Sequence, residues 1–395
     1  MSRDARTQPG ERLWTAEFVT AVVVNSLVMV VFYLLMTTMA LYAAQRFAAS
    51  DSLAGLASSM FIIGAVGARF VAGRLVGAVG PRRVLVLALV VFIGMSLAYL
   101  VAVELVLLLA VRLVHGVAFG LANTAVTTIA QSIIPQARRG EGTGYFSLSV
   151  PLATALGPLV ALALIERWGY DMLFWASVAV SCAAFLSSLL LPERPARPQP
   201  RGLGWRSFVD RDALPIATVM LAVGVVNSSM ITFTHPFADS LGLGSRAGTF
   251  FAVNALGVLA SRLFTGLVQD RFGDNWVMYP ALAVYAGGLA VLSQVESTGT
   301  LVVAALLIGL GFGTVMPTGQ AAAVRLAQPH SIGLAVATFY LLLDLGTGLG
   351  PVVLGGLVSA WDYRVMYLAV AGLVLATALH YHLVHGRHRE RAHRG

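Results

Sequence analysis

The chain contains no lysine: all 26 basic residues are arginine. Charge of either sign is scarce, at 11% of residues, where a soluble domain carries about 25%. Cysteine occurs once, at position 182 inside an apolar run. A single cysteine excludes an intrachain disulfide, and this one reads as a small buried apolar residue. No GxxxxGK[ST] phosphate loop is present, which removes ATP as a motor. HExxH, CxxC and any nucleophile–base constellation are also missing. No metal site, cofactor or catalytic centre is therefore expected, and the chain does not read as an enzyme. The histidines between 380 and 393 are interleaved with arginine, which argues against a tight metal site. The polar start Met1–Arg12 leads into an apolar run too long for the core of a cleaved signal.

What the chain has in excess is apolar surface, 58% of 395 residues. A spanning helix needs about 20 mostly apolar residues, and twelve stretches qualify. The first half holds 16–44, 54–77, 84–103, 105–130, 145–165 and 171–191. The second holds 213–237, 247–268, 276–295, 301–325, 333–358 and 364–385. Between them, residues 192–212 are proline-rich and basic, and read as a linker with a short surface helix near Trp205.

The two halves repeat one another. Gly67–Gly80 (GARFVAGRLVGAVG) shares its frame with Ala260–Gly273 (ASRLFTGLVQDRFG). The shift of 193 positions from Arg69 to Arg262 also carries Gly73 onto Gly266 and Gly80 onto Gly273. It carries Gly116 onto Gly309, Gly120 onto Gly313, Gly157-Pro158 onto Gly350-Pro351, and Trp168 onto Trp361. Glycines alone match by chance in such a chain; a Gly-Pro pair, a Trp and an Arg in one register indicate tandem duplication. The expected fold is an all-α polytopic membrane protein with twelve transmembrane helices in two pseudo-symmetric six-helix bundles. They occupy 1–191 and 213–395, the second with a basic tail.

Loop charge orients the chain. Arg3, Arg6, Arg12, Arg82, Arg83, Arg138, Arg139, the linker arginines, Arg271 and the tail arginines 387, 389, 391 and 394 fall on one side. Arg46, Asp51, Glu104, Glu166 to Asp171, Asp239, Arg246, Glu296, Asp362 and Arg364 fall on the other. The positive-inside rule places both termini and the linker in the cytoplasm. The net charge of +8 is spent on membrane orientation rather than on nucleic acid.

Three motifs and one carboxylate carry the functional reading. The turn Gly266-Leu-Val-Gln-Asp270-Arg271-Phe-Gly273 resembles the GxxxDRxG signature of the major facilitator superfamily. The first copy, with Gly73, Gly80, Arg82 and Arg83, keeps the glycines and the basic end but has Gly77 where that family has Asp. The family's fold has two homologous halves, and the resemblance covers nearly the whole chain. Asp270 is suited to accept bonds from amides at a neighbouring helix start, and Arg271, Arg82 and Arg83 to sit near anionic lipid headgroups. Gating and plain topology are equal readings of this turn. Arg69 and Arg262 lie in matching frames and read first as structural gate residues; pairing with Asp270 or Asp344 and snorkelling are the alternatives.

Arg112-Leu-Val-His115-Gly116 resembles the family's RxxxG element, which the resemblance links to proton-coupled members. Its counterpart is Ala305. A charge in hydrocarbon costs at least about 2.5 kcal/mol, which favours function over snorkelling. Gly157-Pro158 in the fifth span resembles the antiporter element GxxxGPxxGG, with Gly350-Pro351 in the eleventh. The resemblance implies export in exchange for protons. Gly-Pro interrupts the backbone ladder and offers a hinge; static packing is the competing reading.

Asp344 is eleven residues into the eleventh span, about 16 Å deep and near the bilayer midplane. It is the one carboxylate expected deep within a span, and a carboxyl that loads and loses a proton is what proton coupling requires. An ion pair with Arg262 or Arg112 is the static alternative. His235 is a lesser candidate for coupling. Asn25, Tyr33, Asn123, Asn227 and Asn254 would line a substrate cavity, with Met29, Met36, Phe32 and Phe233 as its apolar wall.

Together these point to a monomeric secondary transporter of the bacterial inner membrane. Its partners are a small amphipathic substrate (drug, metabolite or sugar derivative), protons and lipids, and it exports by proton antiport through alternating access. A proton-linked uptake symporter is the alternative within the fold. A non-transporting receptor or assembly partner is the alternative of another class.

Overall fold

The computed structural model describes residues 12–193 and 208–387. The expected surface helix near Trp205, Arg3, Arg6 and the tail arginines 389, 391 and 394 lie outside the described residues.

The regular secondary structure of the described residues is helical, with no strand among them. The helices are α1 (Ala16–Phe47), α2 (Asp51–Val79), α3 (Pro81–Ala98), α4 (Leu105–Ile133), α5 (Arg139–Phe146) and α6 (Ser149–Ser188). They continue as α7 (Leu214–Ser240), α8 (Ala247–Arg262), α9 (Thr265–Phe272), α10 (Asp274–Ser293), α11 (Thr298–Leu326), α12 (Ile332–Ala360) and α13 (Tyr363–Tyr381). Among the described residues eleven helical runs are long and apolar enough to cross a membrane, and one of them, Gln136–Ser188, is 53 residues long. That is more than twice a span. Gly169, at φ 81°, breaks α6 inside that run, between the fifth and sixth spans read from the sequence. The protein is thus a multi-pass membrane protein of the twelve-helix, two-bundle class.

Local chemistry explains the ends of these elements. Gly80 and Gly273, equivalent in the two repeats, both have positive φ, 99° and 92°. That conformation strains any residue with a Cβ. Pro81 then opens α3 at a position where its missing N–H costs nothing. Thr15 and Asp362 cap α1 and α13, and Ser297 forms a capping box with Thr300 at α11. One expected helix differs. The span 247–268 is interrupted after Arg262, where Phe264 (φ −130°, ψ −27°) leaves the helical path before α9 begins. The first-half counterpart, α2, runs unbroken past Arg69.

Contacts group the chain into two compact units. The first comprises Met1–Arg138, Ser149–Val209 and Gln328–Ala337; the second comprises Arg139–Leu148, Asp210–Ala327 and Thr338–Gly395. In the first, α1 packs on α6 and α4 packs on both α2 and α3. In the second, α11 packs on α8 and α10, α13 on α10, and the short α5 on α9 and α11.

The repeat is visible in atomic contacts. A Cβ at Gly116 would collide with the carbonyl of Phe61, and one at Gly309 with the carbonyl of Asn254. Gly120 lies against the Ala65 carbonyl and Gly313 against Val258; Gly64 lies against Leu113 and Gly257 against Leu306. Each pair maps onto its partner by the same shift of 193 positions that relates Arg69 to Arg262. In lipid, where apolar burial gives helices no reason to associate, such close backbone approach supplies the packing. Large apolar side chains at Leu87, Val106 and Val352 point outward, 62%, 75% and 78% exposed, as lipid-facing positions do.

Candidate functional site

The densest polar assembly centres on α9. Asp270 accepts the backbone N–H of Gly140 at 2.7 Å through Oδ1 and of Glu141 at 2.8 Å through Oδ2. Both amides belong to the first turn of α5, whose unpaired N–H groups and positive dipole end suit a carboxylate. Gly266, one turn earlier on α9, allows this approach: a Cβ there would stand 2.6 Å from Glu141 Cα. Arg325 of α11 donates to Asp270 at 3.2 Å and to Asp274 at 2.8 Å. Asp274 also accepts from Gln269 at 2.9 Å and pairs with His385 at 3.0 Å. This connects α5, α9, α10, α11 and the chain beyond α13 in one charged cluster.

Of that cluster, sequence reasoning identifies Gly266, Asp270 and Gly273 and misses Arg325, Asp274, Gln269 and His385. A signal exists for Arg325. It stands where the first half has Ser132, the same asymmetry that singles out Arg112. The first copy of the turn is built differently. Arg82 donates to the carbonyl of Leu189 at 2.7 Å and Arg83 pairs with Glu193 at 3.0 Å, tying the start of α3 to the end of α6. Gly73 lies against Leu334: a Cβ there would stand 2.8 Å from the Leu334 Cα. Arg271 lies exposed over the ring of Phe272.

Arg112 does not snorkel; it is 1% exposed. Its Nε donates to the Ala57 carbonyl at 2.7 Å and Nη2 to the Ser58 carbonyl at 3.4 Å. Nη1 reaches the Tyr99 hydroxyl at 3.5 Å, and the guanidinium sits 4.7 Å from the Phe61 ring centre. Tyr99 in turn bonds His115 Nδ1 at 2.9 Å. The partners of Arg112 are thus two carbonyls, a hydroxyl and an aromatic ring.

Asp344 lies near the middle of α12 and is half-buried. Arg262 is 6% exposed and Arg69 is 5% exposed, so neither reaches an interface. Arg262 has no carboxylate partner among the described residues, Asp270 and Asp344 included. His235 is exposed near the end of α7.

The amide side chains separate into two groups. In the first unit Asn123 donates to Asn25 at 3.2 Å, and Asn25 donates to Ser149 at 2.5 Å, a buried chain across α1, α4 and α6. Tyr33 packs its ring edge-on to Phe32. In the second unit Asn254 donates to the Ala305 carbonyl at 3.3 Å, serving helix packing, and Asn227 is half-buried on α7. Both Gly-Pro elements lie inside continuous helix. Gly157 is pressed on Tyr33 and Gly350 on Ser228, which holds α6 against α1 and α12 against α7.

The sequence signature of the Major Facilitator Superfamily matches residues 21–274 and again 244–394. The uncharacterized MFS-type transporter YhhS of Escherichia coli (strain K12) is 26% identical over 339 residues, 82% of each chain. The staphylopine export protein of Staphylococcus aureus (strain Mu50) is 22% identical over 357 residues, 83% of this chain and 86% of that one. Among solved structures, the human organic anion transporter MFSD10 superposes with a TM-score of 0.83 at 18% identity, covering 94% of this chain and 100% of its own.

Proposed function

The chain belongs to the major facilitator superfamily, and from that premise we propose that it is a proton-coupled antiporter exporting a small amphipathic compound across a bacterial inner membrane. That it is a secondary-type transporter and not an enzyme follows from the family; direction, coupling and substrate are the proposal. The observation that carries it is Asp344, a half-buried carboxyl near the middle of a 29-residue apolar helix. An ionisable group at that depth is costly and is retained for ion or substrate movement. The staphylopine export protein, whose name states export, supports the direction, and the multidrug resistance protein MdtG of Klebsiella pneumoniae, 24% identical over 277 residues, supports a drug-like compound.

In this reading the two six-helix halves alternate access to a midplane site. The Asp270 cluster holds the cytoplasmic ends of α5, α9 and α11 together in one state and releases them in the other. Asp344 takes a proton from the outside and gives it up inside as substrate moves outward. The test is accumulation of a panel of amphipathic compounds in a host stripped of its main efflux pumps. Wild type lowers accumulation of at least one compound, and Asp344→Asn abolishes the effect together with its pH dependence. An undiminished pH response in Asp344→Asn removes the coupling role.

A further inference from the structure

Where α2, α3 and α4 meet, the first unit carries an apolar groove of about 190 Å³. Leu75 and Val79 of α2, Leu87 and Val91 of α3, and Val117 and Leu121 of α4 line it. Leu75, Leu87, Val91 and Val117 are exposed, so the groove opens toward lipid. On α3 the lining runs from Val84 to Val91, the fourth to the eleventh residue of the helix. At 1.5 Å per residue that is about 5 to 15 Å from the helix start, the depth of one leaflet of a hydrocarbon core about 30 Å thick. Acyl tails are as apolar as these side chains, so a tail alone gains little by lying here. Selectivity for one lipid over another has to come from its headgroup.

The end of the groove at the start of α3 is positive. Arg83 stands four residues before Leu87, on its side of the helix, and is exposed. Its Nε pairs with Glu193 at 3.0 Å, and its two terminal nitrogens make no hydrogen bond among the described residues. Arg82 donates through Nη2 to the Leu189 carbonyl at 2.7 Å, while its buried Nε has no acceptor among the described residues. Two guanidiniums against one carboxylate leave one positive charge, which matches the single negative charge of a phosphodiester.

The second repeat gives the distance between this charge and the groove wall. The shift of 193 positions carries Val79 onto Phe272 and Arg83 onto Trp276. Gly80 and Gly273 turn the chain between them with like φ, 99° and 92°. The rings of Phe272 and Trp276 meet with their centres 6.0 Å apart. The same turn in the first repeat therefore sets the Arg83 side chain beside the Val79 wall. Two rings fill that corner in the second repeat; a valine and a guanidinium leave it open and positive in the first.

We propose that this groove binds one anionic phospholipid of the phosphatidylglycerol type. An acyl chain lies along Leu75, Leu87 and Val117, and the phosphate meets Arg83 with Arg82 beside it. By the positive-inside rule the lipid belongs to the cytoplasmic leaflet. Native mass spectrometry of the full-length protein tests this by titration with dioleoyl phosphatidylglycerol or dioleoyl phosphatidylcholine, which share their chains and differ in net charge. Wild type holds one phosphatidylglycerol about fivefold more tightly than phosphatidylcholine, the effect of one arginine near an anionic headgroup. Arg83→Gln brings the two lipids near parity, and Arg83→Lys restores most of the difference. Glu193→Gln strengthens phosphatidylglycerol binding, because both guanidiniums are then unopposed. Val117→Phe fills the groove and weakens both lipids while keeping their ratio. Thermal unfolding with each lipid is a second readout: phosphatidylglycerol raises the wild-type midpoint more than phosphatidylcholine does, and Arg83→Gln removes the difference.

Equal binding of the two lipids by wild type means ordinary boundary lipid and overturns the headgroup site. An arginine that only ties α3 to the end of α6 gives changes of the same sign in Arg83→Gln and Glu193→Gln, and that result also overturns it. Undiminished lipid binding in Val117→Phe overturns the groove.

Discussion

Asp270 accepts the backbone N–H of Gly140 at 2.7 Å across 130 residues of chain. The bond joins the signature turn of one repeat to the first turn of a helix that precedes the linker. Asp270→Asn keeps the size but removes the charge, and sets an amide nitrogen against N–H donors. Charge-assisted bonds to buried partners are worth about 1.5–3 kcal/mol each. The expected loss is about 2–4 kcal/mol, read by thermal or denaturant unfolding in detergent. Gly266→Ala produces a comparable loss by another route, forcing α9 off Glu141. Wild-type stability in both variants contradicts the role given to the cluster.

The glycine contacts give a symmetric prediction. Gly116→Ala and Gly309→Ala each drive a methyl into a backbone carbonyl of the facing helix. Overpacking of this kind costs about 1–3 kcal/mol. A methyl at Gly94 would meet no atom within 4 Å, so Gly94→Ala is neutral or gains up to about 1 kcal/mol from helix propensity. Unfolding midpoints of the three variants, measured side by side, check the pattern.

Arg112 is held by directional bonds that an ammonium cannot reproduce together. Arg112→Lys loses about 2 kcal/mol of stability even though the charge is kept, and transport falls with it. Tyr99→Phe leaves His115 Nδ1 without its hydroxyl and costs about 1 kcal/mol. If lysine serves as well as arginine, the site is a charge requirement and not a bonded knot.

Beyond α13 the chain docks on α10. His385 meets Asp274 at 3.0 Å, Tyr381 donates to Asn275 at 2.8 Å, and Asn275 donates to the Gly386 carbonyl at 3.0 Å. His385→Ala is expected to weaken this docking by about 1–2 kcal/mol. A double-mutant cycle with Asp274→Asn should return a coupling energy of about 0.5–3 kcal/mol, measured on unfolding. Additive effects would mean that the two residues do not act as a pair.

The spans, the repeat and the signature turn are legible in the sequence because each leaves a linear trace. Hydrophobic length marks the spans, and the shift from Arg69 to Arg262 marks the repeat. The partners of those residues are not legible. Arg325 and Asp274 lie far apart in sequence and meet only after α10 and α11 pack. That Arg262 Nε and Nη1 meet no acceptor among the described residues is likewise a property of neighbours, not of the residue. The break after Arg262 leaves no trace because its residues, Leu263 and Phe264, are as apolar as the helix they interrupt. The position of Arg112 along its helix suggests reach to an interface, but depth says nothing of the face a residue occupies; packing on α2 buries it.

The central claim is that Asp344 carries the proton that drives export. The most direct measurement uses proteoliposomes with a trapped pH indicator, holding wild type or Asp344→Asn, to which a compound whose accumulation wild type lowers is added on one side. With wild type the added compound moves protons the opposite way. Asp344→Asn gives no proton movement, while exchange of labelled for unlabelled compound persists. Proton movement in Asp344→Asn equal to wild type contradicts the claim.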